Sequence, residues 1–291
     1  MREMKLSCLP VSYFRDIIDG RMSIREWAVE GASTGLDGID LSVLFLKSRS
    51  PEYLDKTRRE IEEAGIRIAM VTTYPDFTHP DPMERERQLA KLQEDIVTAS
   101  RLGADLLRVT AGQAHPSVDR REGIEWAANG LSKAMEFARA YPVRLAYENH
   151  AKPGAWQYTD FSHPTDIFLE IVERTARVSL GVNWDTANTI AYGDDPIPIL
   201  RRIVDRVISV HAADTSRRGE LKHVLLGTGL VPFRQMFEIL RDAGFNGWIC
   251  MEEASFKGPA GVKAAADFIR HTWDEAGRKR SELANGDISP R

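Results

Sequence analysis

Four residues of types that hold metal ions each stand at the end of a short apolar run. Glu148 follows RLAY, Asp185 follows GVNW, His211 follows VISV and Glu252 follows WICM. A strand that closes on such a side chain sets it at the rim of a sheet. Three carboxylates and one imidazole make a hard, mostly oxygen donor set. That set suits Mn²⁺, Mg²⁺ or Co²⁺ better than a structural zinc site, which prefers Cys and His; Zn²⁺ is the remaining alternative. His211 would bind as neutral imidazole, its other nitrogen held by a neighbouring acceptor. Each residue also has a plainer role. Asp185 could only cap a helix, Glu148 could pair with Lys152, His211 could be a hydrogen-bonded core histidine, and one of Glu252 and Glu253 could simply be solvated. Four metal-type residues on consecutive strand ends are what argue for one shared site.

The elements that must position them alternate regularly. Apolar, β-branched runs predict strands at 5–9, 38–41, 66–72, 104–109, 143–147, 178–184, 207–210 and 247–251. Segments of helical period lie between them, at 23–32, 50–64, 83–102, 120–141, 164–175, 196–204, 233–243 and 261–275. Ser23 and Ser50 read as N-caps, with Pro51 at a first helical position, and His163 or Ser162 as the cap of the fifth helix. Gly65, Gly103 and Gly244 read as stops. Eight strands alternating with eight helices predict a single (β/α)8 TIM barrel over 1–276, followed by a polar tail at 277–291 that frays. A doubly wound open sheet would carry a Gly-rich phosphate turn after its first strand, and 10–16 has none. In a barrel the active site lies at the C-terminal strand ends, so Glu148, Asp185, His211 and Glu252, on strands five to eight, converge along one side.

Composition narrows the partners. The chain has 291 residues and a formal net charge of -4, with no long Lys/Arg run, so nucleic acid is a poor fit. Cys8 and Cys250 are the only cysteines and read as buried strand residues in a reducing compartment. The N-terminus lacks a signal-peptide core, and no apolar run approaches the roughly 20 residues of a membrane span. A cytoplasmic, soluble enzyme of small molecules, with no membrane partner, is the expectation.

Loops supply further candidates. The long connection 149–162 carries Trp156 and reads as an ordered pocket wall. His150, two residues beyond Glu148, faces the site or packs. Tyr13, Phe14 and Trp156 could stack on one face of a small-molecule substrate. Lys222 and His223 precede a GTG turn and could bind an acidic group, or belong to a solvated loop.

Five motifs carry a resemblance: ENH at 148–150, GVNWDTAN at 181–188, VISVHAAD at 207–214, LLGTGLVPF at 225–233 and GFNGWICMEE at 244–253. Together they resemble the sugar phosphate isomerase/epimerase superfamily of xylose isomerase-like TIM barrels. That group includes ketose 3-epimerases, hydroxypyruvate isomerases and inosose dehydratases, and is distantly related to metal-dependent AP endonucleases. The resemblance runs over the whole chain and is strongest from Arg144 to Glu252. It implies that Glu148, Asp185, His211 and Glu252 are the ligands of one divalent metal and that Glu148 and Glu252 move the proton. It implies that Arg217 binds substrate oxygens. It places Asn188, a substrate-binding position, where the epimerases carry a histidine, and Gly154 where they carry an acid. It also implies a homo-oligomer, a dimer or a tetramer.

The chemistry implied is removal of a proton next to a carbonyl, with the metal stabilising the enediolate and a glutamate as base. Return of a proton to the other face is epimerisation, and delivery to the next carbon is isomerisation. Loss of a β-leaving group makes the enzyme a carbon–oxygen lyase on a keto-sugar or inosose. An isomerase or epimerase of a small ketose, keto-polyol or keto-sugar is the first expectation, the lyase the second. An AP endonuclease-like nuclease needs a histidine-rich cluster that Asn188, Thr72 and Thr110 do not supply. A non-catalytic sugar-binding barrel would not need both Glu148 and Glu252.

Overall fold

The computed structural model describes residues 4–151, 154 and 156–285. The alternative partner of Glu148, Lys152, and the last residues of the tail lie outside these. Eight parallel strands follow in order: β1 (Lys5–Leu9), β2 (Gly38–Ser42), β3 (Arg67–Thr72), β4 (Leu106–Val109), β5 (Arg144–Glu148), β6 (Gly181–Asp185), β7 (Val207–Ala212) and β8 (Trp248–Glu252). They pair as one sheet in the order β1-β8-β7-β6-β5-β4-β3-β2. The remaining seam is bridged by Asp37, whose N–H donates to Leu6 O at 2.8 Å. Its carboxylate in turn accepts from Leu6 N at 2.8 Å. The result is a nearly closed barrel, in which β8 lies across from β4 and β5.

Helices surround it: α1 (Phe14–Ile18), α2 (Ile24–Ser33), α3 (Pro51–Glu63), α4 (Pro82–Leu102), α5 (Arg120–Ala138), α6 (Thr165–Arg174), α7 (Asn188–Tyr192), α8 (Pro196–Ile203), α9 (Phe233–Asp242) and α10 (Pro259–Asn285). Their starts are written locally. Ser23 and Glu26 form a reciprocal capping box on α2, Ser50 caps α3 ahead of Pro51, and Asp81 caps α4 ahead of Pro82. Four details differ from the sequence pattern. The sixth strand begins at Gly181, because Ala176–Val178 winds into a 3-10 turn and Ser179 takes φ 58°. Helix α6 has Pro164 at its N-cap position without a side-chain cap, since Ser162 bonds Asp160 instead. Two short helices, α1 and α7, occupy stretches too brief to show a period. Helix α10 continues well beyond residue 275 to Asn285.

The main apolar core lies between the sheet and the helices, and a smaller one of Ala69, Met70, Leu106, Trp248 and Cys250 fills the barrel. Trp248 is anchored by its indole N–H to Asp105 at 2.7 Å. Its ring leaves room only for glycine at 38, where a Cβ would stand 2.9 Å away. This plug closes the lower barrel, so polar side chains gather at the other end. No helix among the described residues is long and apolar enough to cross a membrane.

Candidate metal centre

Parallel register brings the four strand ends to one level. Asp185 pairs in register with His211, and Glu148 with Asn183. One donor atom from each of Glu148, Asp185, His211 and Glu252 lies within 4.8 Å of the others. His211 is the hub. Its Nδ1 is 3.1 Å from Glu148 Oε1 and 3.2 Å from Glu252 Oε1, while Nε2 faces Met70 Sδ at 3.1 Å.

Asp185 divides its work between two oxygens. Oδ1 accepts from Ala187 N at 2.8 Å and Asn188 N at 2.7 Å, a turn that leads into α7. Oδ2 is buried and has no hydrogen-bond partner among the described residues. Ala187, not Asp185, stands at the N-cap position of α7, and the Asp185 turn uses only one of its two oxygens. Asn149 fixes the backbone at this point: its amide accepts from Asp185 N at 2.7 Å and donates to Asp185 O at 2.9 Å. Glu253, the neighbour of Glu252, is buried rather than solvated. It accepts from Ser12 Oγ at 2.5 Å and Ser255 N at 2.7 Å, joining the loops after β1 and β8.

Three carboxylates crowd this end of the barrel, with Arg108 as the buried guanidinium beside them. Arg108 Nε lies 2.8 Å from Glu148 Oε2, its Nη1 donates to Thr73 O at 3.0 Å, and it stacks 4.8 Å from the centre of the Tyr74 ring. Burial opposes charge on Glu148, but His211 and then Arg108 outweigh it and hold the carboxyl at about 2. Burial likewise opposes charge on His211, and Glu148 and Glu252 overcome it, pushing the imidazole well above its usual range. Asp185 moves the opposite way. Burial, then the like charges of Glu252 and Glu148, push it well up. A cluster that crowds carboxylates this closely is relieved by a divalent cation. The donors fit one: mostly oxygen, buried, convergent, and including the unpartnered Asp185 Oδ2.

Above the cluster opens a cavity of about 440 Å³. Of the four residues, only Glu252 lines it. The sequence-nominated His150, Asn188, His223 and Phe14 line it too, with Arg108, Tyr74 and an apolar lip of Val11, Ile18, Leu44 and Leu221. Asn188 Oδ1 and His223 Nδ1 are buried without hydrogen-bond partners among the described residues. Burial holds His150 down at about 4, and its Nδ1 lies 3.8 Å from Asp160 Oδ2.

Other nominated residues are not brought to this cavity. Arg217 is exposed and paired with Glu220 at 2.8 Å, because the loop after β7 turns it outward. Lys222 is exposed, its backbone spent on Thr215 and Ser216. Trp156 is buried with its ring 6.3 Å from that of His150 and lines a neighbouring pocket with Asp76 and Gln113. Tyr13 donates to Glu30 at 2.7 Å and packs on Trp27. The GTG turn is organised by Asp214, whose Oδ2 accepts from Gly227 N and Gly229 N, both at 2.9 Å. A Cβ at 229 would sit 2.3 Å from that carboxylate.

Sequence reasoning passed over Arg108 and Asn149. A lone arginine inside the apolar run LLRV was the available signal for the first, and adjacency to Glu148 for the second.

A model of the xylose isomerase-like TIM barrel family matches residues 29–272. The chain belongs to that family. Among relatives within it, an inosose dehydratase from Clostridium tetani is 26% identical over 282 residues, covering 86% of this chain and 89% of that protein. The solved structure of an L-ribulose 3-epimerase superposes with a TM-score of 0.78 at 18% identity, covering 99% of this chain and 100% of its own. A structure of IOLI protein with a bound zinc atom gives a TM-score of 0.70 at 18% identity, over 96% and 99%. Both structures bear on the xylose isomerase-like fold.

Proposed function

We propose that this barrel is a divalent-metal-dependent enzyme of the sugar isomerase/epimerase class that removes the proton next to a carbonyl of a small ketose, keto-polyol, keto-sugar or inosose. The observation that carries the reading is the convergence of donor atoms from four residues within 4.8 Å, with Asp185 Oδ2 buried and without a hydrogen-bond partner among the described residues, beside a cavity of about 440 Å³ that Glu252 lines. Glu148, Asp185, His211 and Glu252 would hold the ion. Bound there, Mn²⁺, Mg²⁺, Co²⁺ or Zn²⁺ supplies positive charge against the oxygens of an enediolate. Zinc in a structural neighbour supports a divalent ion without selecting one.

The chain's own residues do the rest. Glu252, on the cavity wall, takes the α-proton. The unpartnered Asn188 Oδ1 and His223 Nδ1 are placed to orient hydroxyl groups. The lip formed by Val11, Phe14, Leu44 and Leu221 excludes water around the reacting carbon. The inosose dehydratase relative supports the lyase outcome as the second reading, and Asn188 and Gly154 depart from the epimerase pattern in the same direction. The buried free thiols Cys8 and Cys250 support a reducing, cytoplasmic setting.

The test is incubation of Mn²⁺-loaded protein in D₂O with ketoses, inososes and 3-keto-glycosides. Deuterium is expected at an α-carbon of at least one, and Glu252→Gln abolishes it. Absence of exchange across the panel contradicts the reading.

A further inference from the structure

Proton transfer to both faces of a substrate needs a free proton-carrying group on each side. Across this cavity the two sides are unlike. On the β8 side stands Glu252, whose side chain is 15% exposed and lines the cavity. On the opposite side, at the ends of β4 and β5, the corresponding carboxylate is withdrawn. Glu148 is fully buried and does not line the cavity. His211 Nδ1 serves both glutamates, 3.1 Å from Glu148 Oε1 and 3.2 Å from Glu252 Oε1, so what sets Glu148 apart is its full burial and the Arg108 guanidinium, whose Nε lies 2.8 Å from Glu148 Oε2 as an ion pair. The Arg108 guanidinium lines the cavity in its stead, held by Thr73 O and stacked on Tyr74.

We propose that Arg108 is a positioning residue and specificity determinant that removes Glu148 from proton transfer, so that the reaction runs on the Glu252 face alone and does not invert the carbon. This rests on the proton-abstraction reading above. A Glu252 oxygen takes the α-proton, and the C–H electron pair passes into the enediolate. In isomerisation the same proton is returned to the neighbouring carbon on the same face. In elimination the pair forms the C=C bond, the β-C–O bond breaks with its electrons, and the departing hydroxide takes the proton from Glu252 as water. Either way the carboxylate is regenerated and no oxidant or reductant is needed. A guanidinium on the far side offers positive charge to substrate oxygens and no base.

The test follows stereochemistry in D₂O with Mn²⁺-loaded enzyme and the same ketose and inosose panel. Wild type is expected to label or dehydrate substrate while recovered substrate keeps its configuration. Arg108→Met is expected to form the epimer in recovered substrate. Arg108→Lys is expected to turn over about tenfold more slowly, with no epimer. Calorimetric titration with Mn²⁺ gives a readout independent of turnover. Arg108→Met should bind the ion at least as tightly as wild type, since a competing cation has been removed from Glu148.

A deuterated epimer made by the wild-type enzyme would overturn the proposal. So would an Arg108→Met variant whose epimer fraction matches wild type, or one that no longer binds Mn²⁺. Inversion by wild type that disappears in His150→Asn would overturn it in favour of His150 as a second base. Failure of wild type to exchange with any substrate, or exchange that survives Glu252→Gln, would instead sink the underlying proton-abstraction reading.

Discussion

The two walls of the cavity use the same residue type to opposite ends. On β8, Glu252 keeps partial exposure and lines the cavity. On β5, Glu148 is fully buried with Arg108 beside it, while His211 touches both glutamates. Homologous positions at strand ends therefore do not guarantee equal roles. What a carboxylate can do is set by its exposure and by the charges packed beside it. On the proposed reading, the comparison separates a wall that moves a proton from a wall that holds charge in place.

Neutralising the two glutamates should break the likeness between them most strongly. Glu252→Gln should lower α-proton exchange by about 10²–10⁴-fold while leaving the fold nearly as stable. Glu148→Gln should act first on stability. It strands Arg108 as a buried, unpaired charge, at a cost of about 3–5 kcal/mol. Thermal melts of the two variants side by side check this, and equal losses of stability would erase the distinction between the walls.

The charge-holding wall extends to Asp160, which burial pushes up to about 8. The unfolded chain gives up this proton at lower pH than the folded chain. Stability is therefore lost as pH rises between the ordinary carboxylate value and about 8. Asp160→Asn keeps an oxygen for the Ser162 N–H and hydroxyl, both 2.7 Å away, and removes the penalty. The variant should gain stability over wild type, by on the order of a few kcal/mol near pH 8 and less near pH 5. A gain that shrinks as pH rises would contradict the assignment.

The smallest effect is expected outside both walls. Arg217 is 62% exposed and paired with Glu220 at the surface. Arg217→Ala should shift stability by less than about 0.5 kcal/mol and leave kcat/KM within about twofold. A large rise in KM would bring this arginine back to the substrate, as the family resemblance implied.

The contrast also explains what the sequence could reveal. Strand ends were legible because an apolar run stopping on Glu148, Asp185, His211 or Glu252 marks the place where a side chain leaves the core. With eight such runs, the barrel and the convergence of those four followed. Which glutamate faces the cavity was not legible, because that depends on Arg108. A single arginine within LLRV looks like an exposed strand residue until the barrel closes around it. The loops were read less well. Arg217 and Lys222 follow β7 at spacings compatible with the site, but Asp214 draws in the N–H groups of the GTG turn and leaves both cations outside. The short helices α1 and α7 were missed because five residues do not complete two turns of amphipathic pattern.

The centre itself is tested most directly by counting and locating its ions. Metal-free protein titrated with Mn²⁺ is expected to take up one ion per chain, and Asp185→Asn and His211→Asn are each expected to weaken that binding severely. Mn²⁺ anomalous scattering should place the ion among Glu148, Asp185, His211 and Glu252. Three ions per chain, or tight binding that survives both substitutions, would contradict the account.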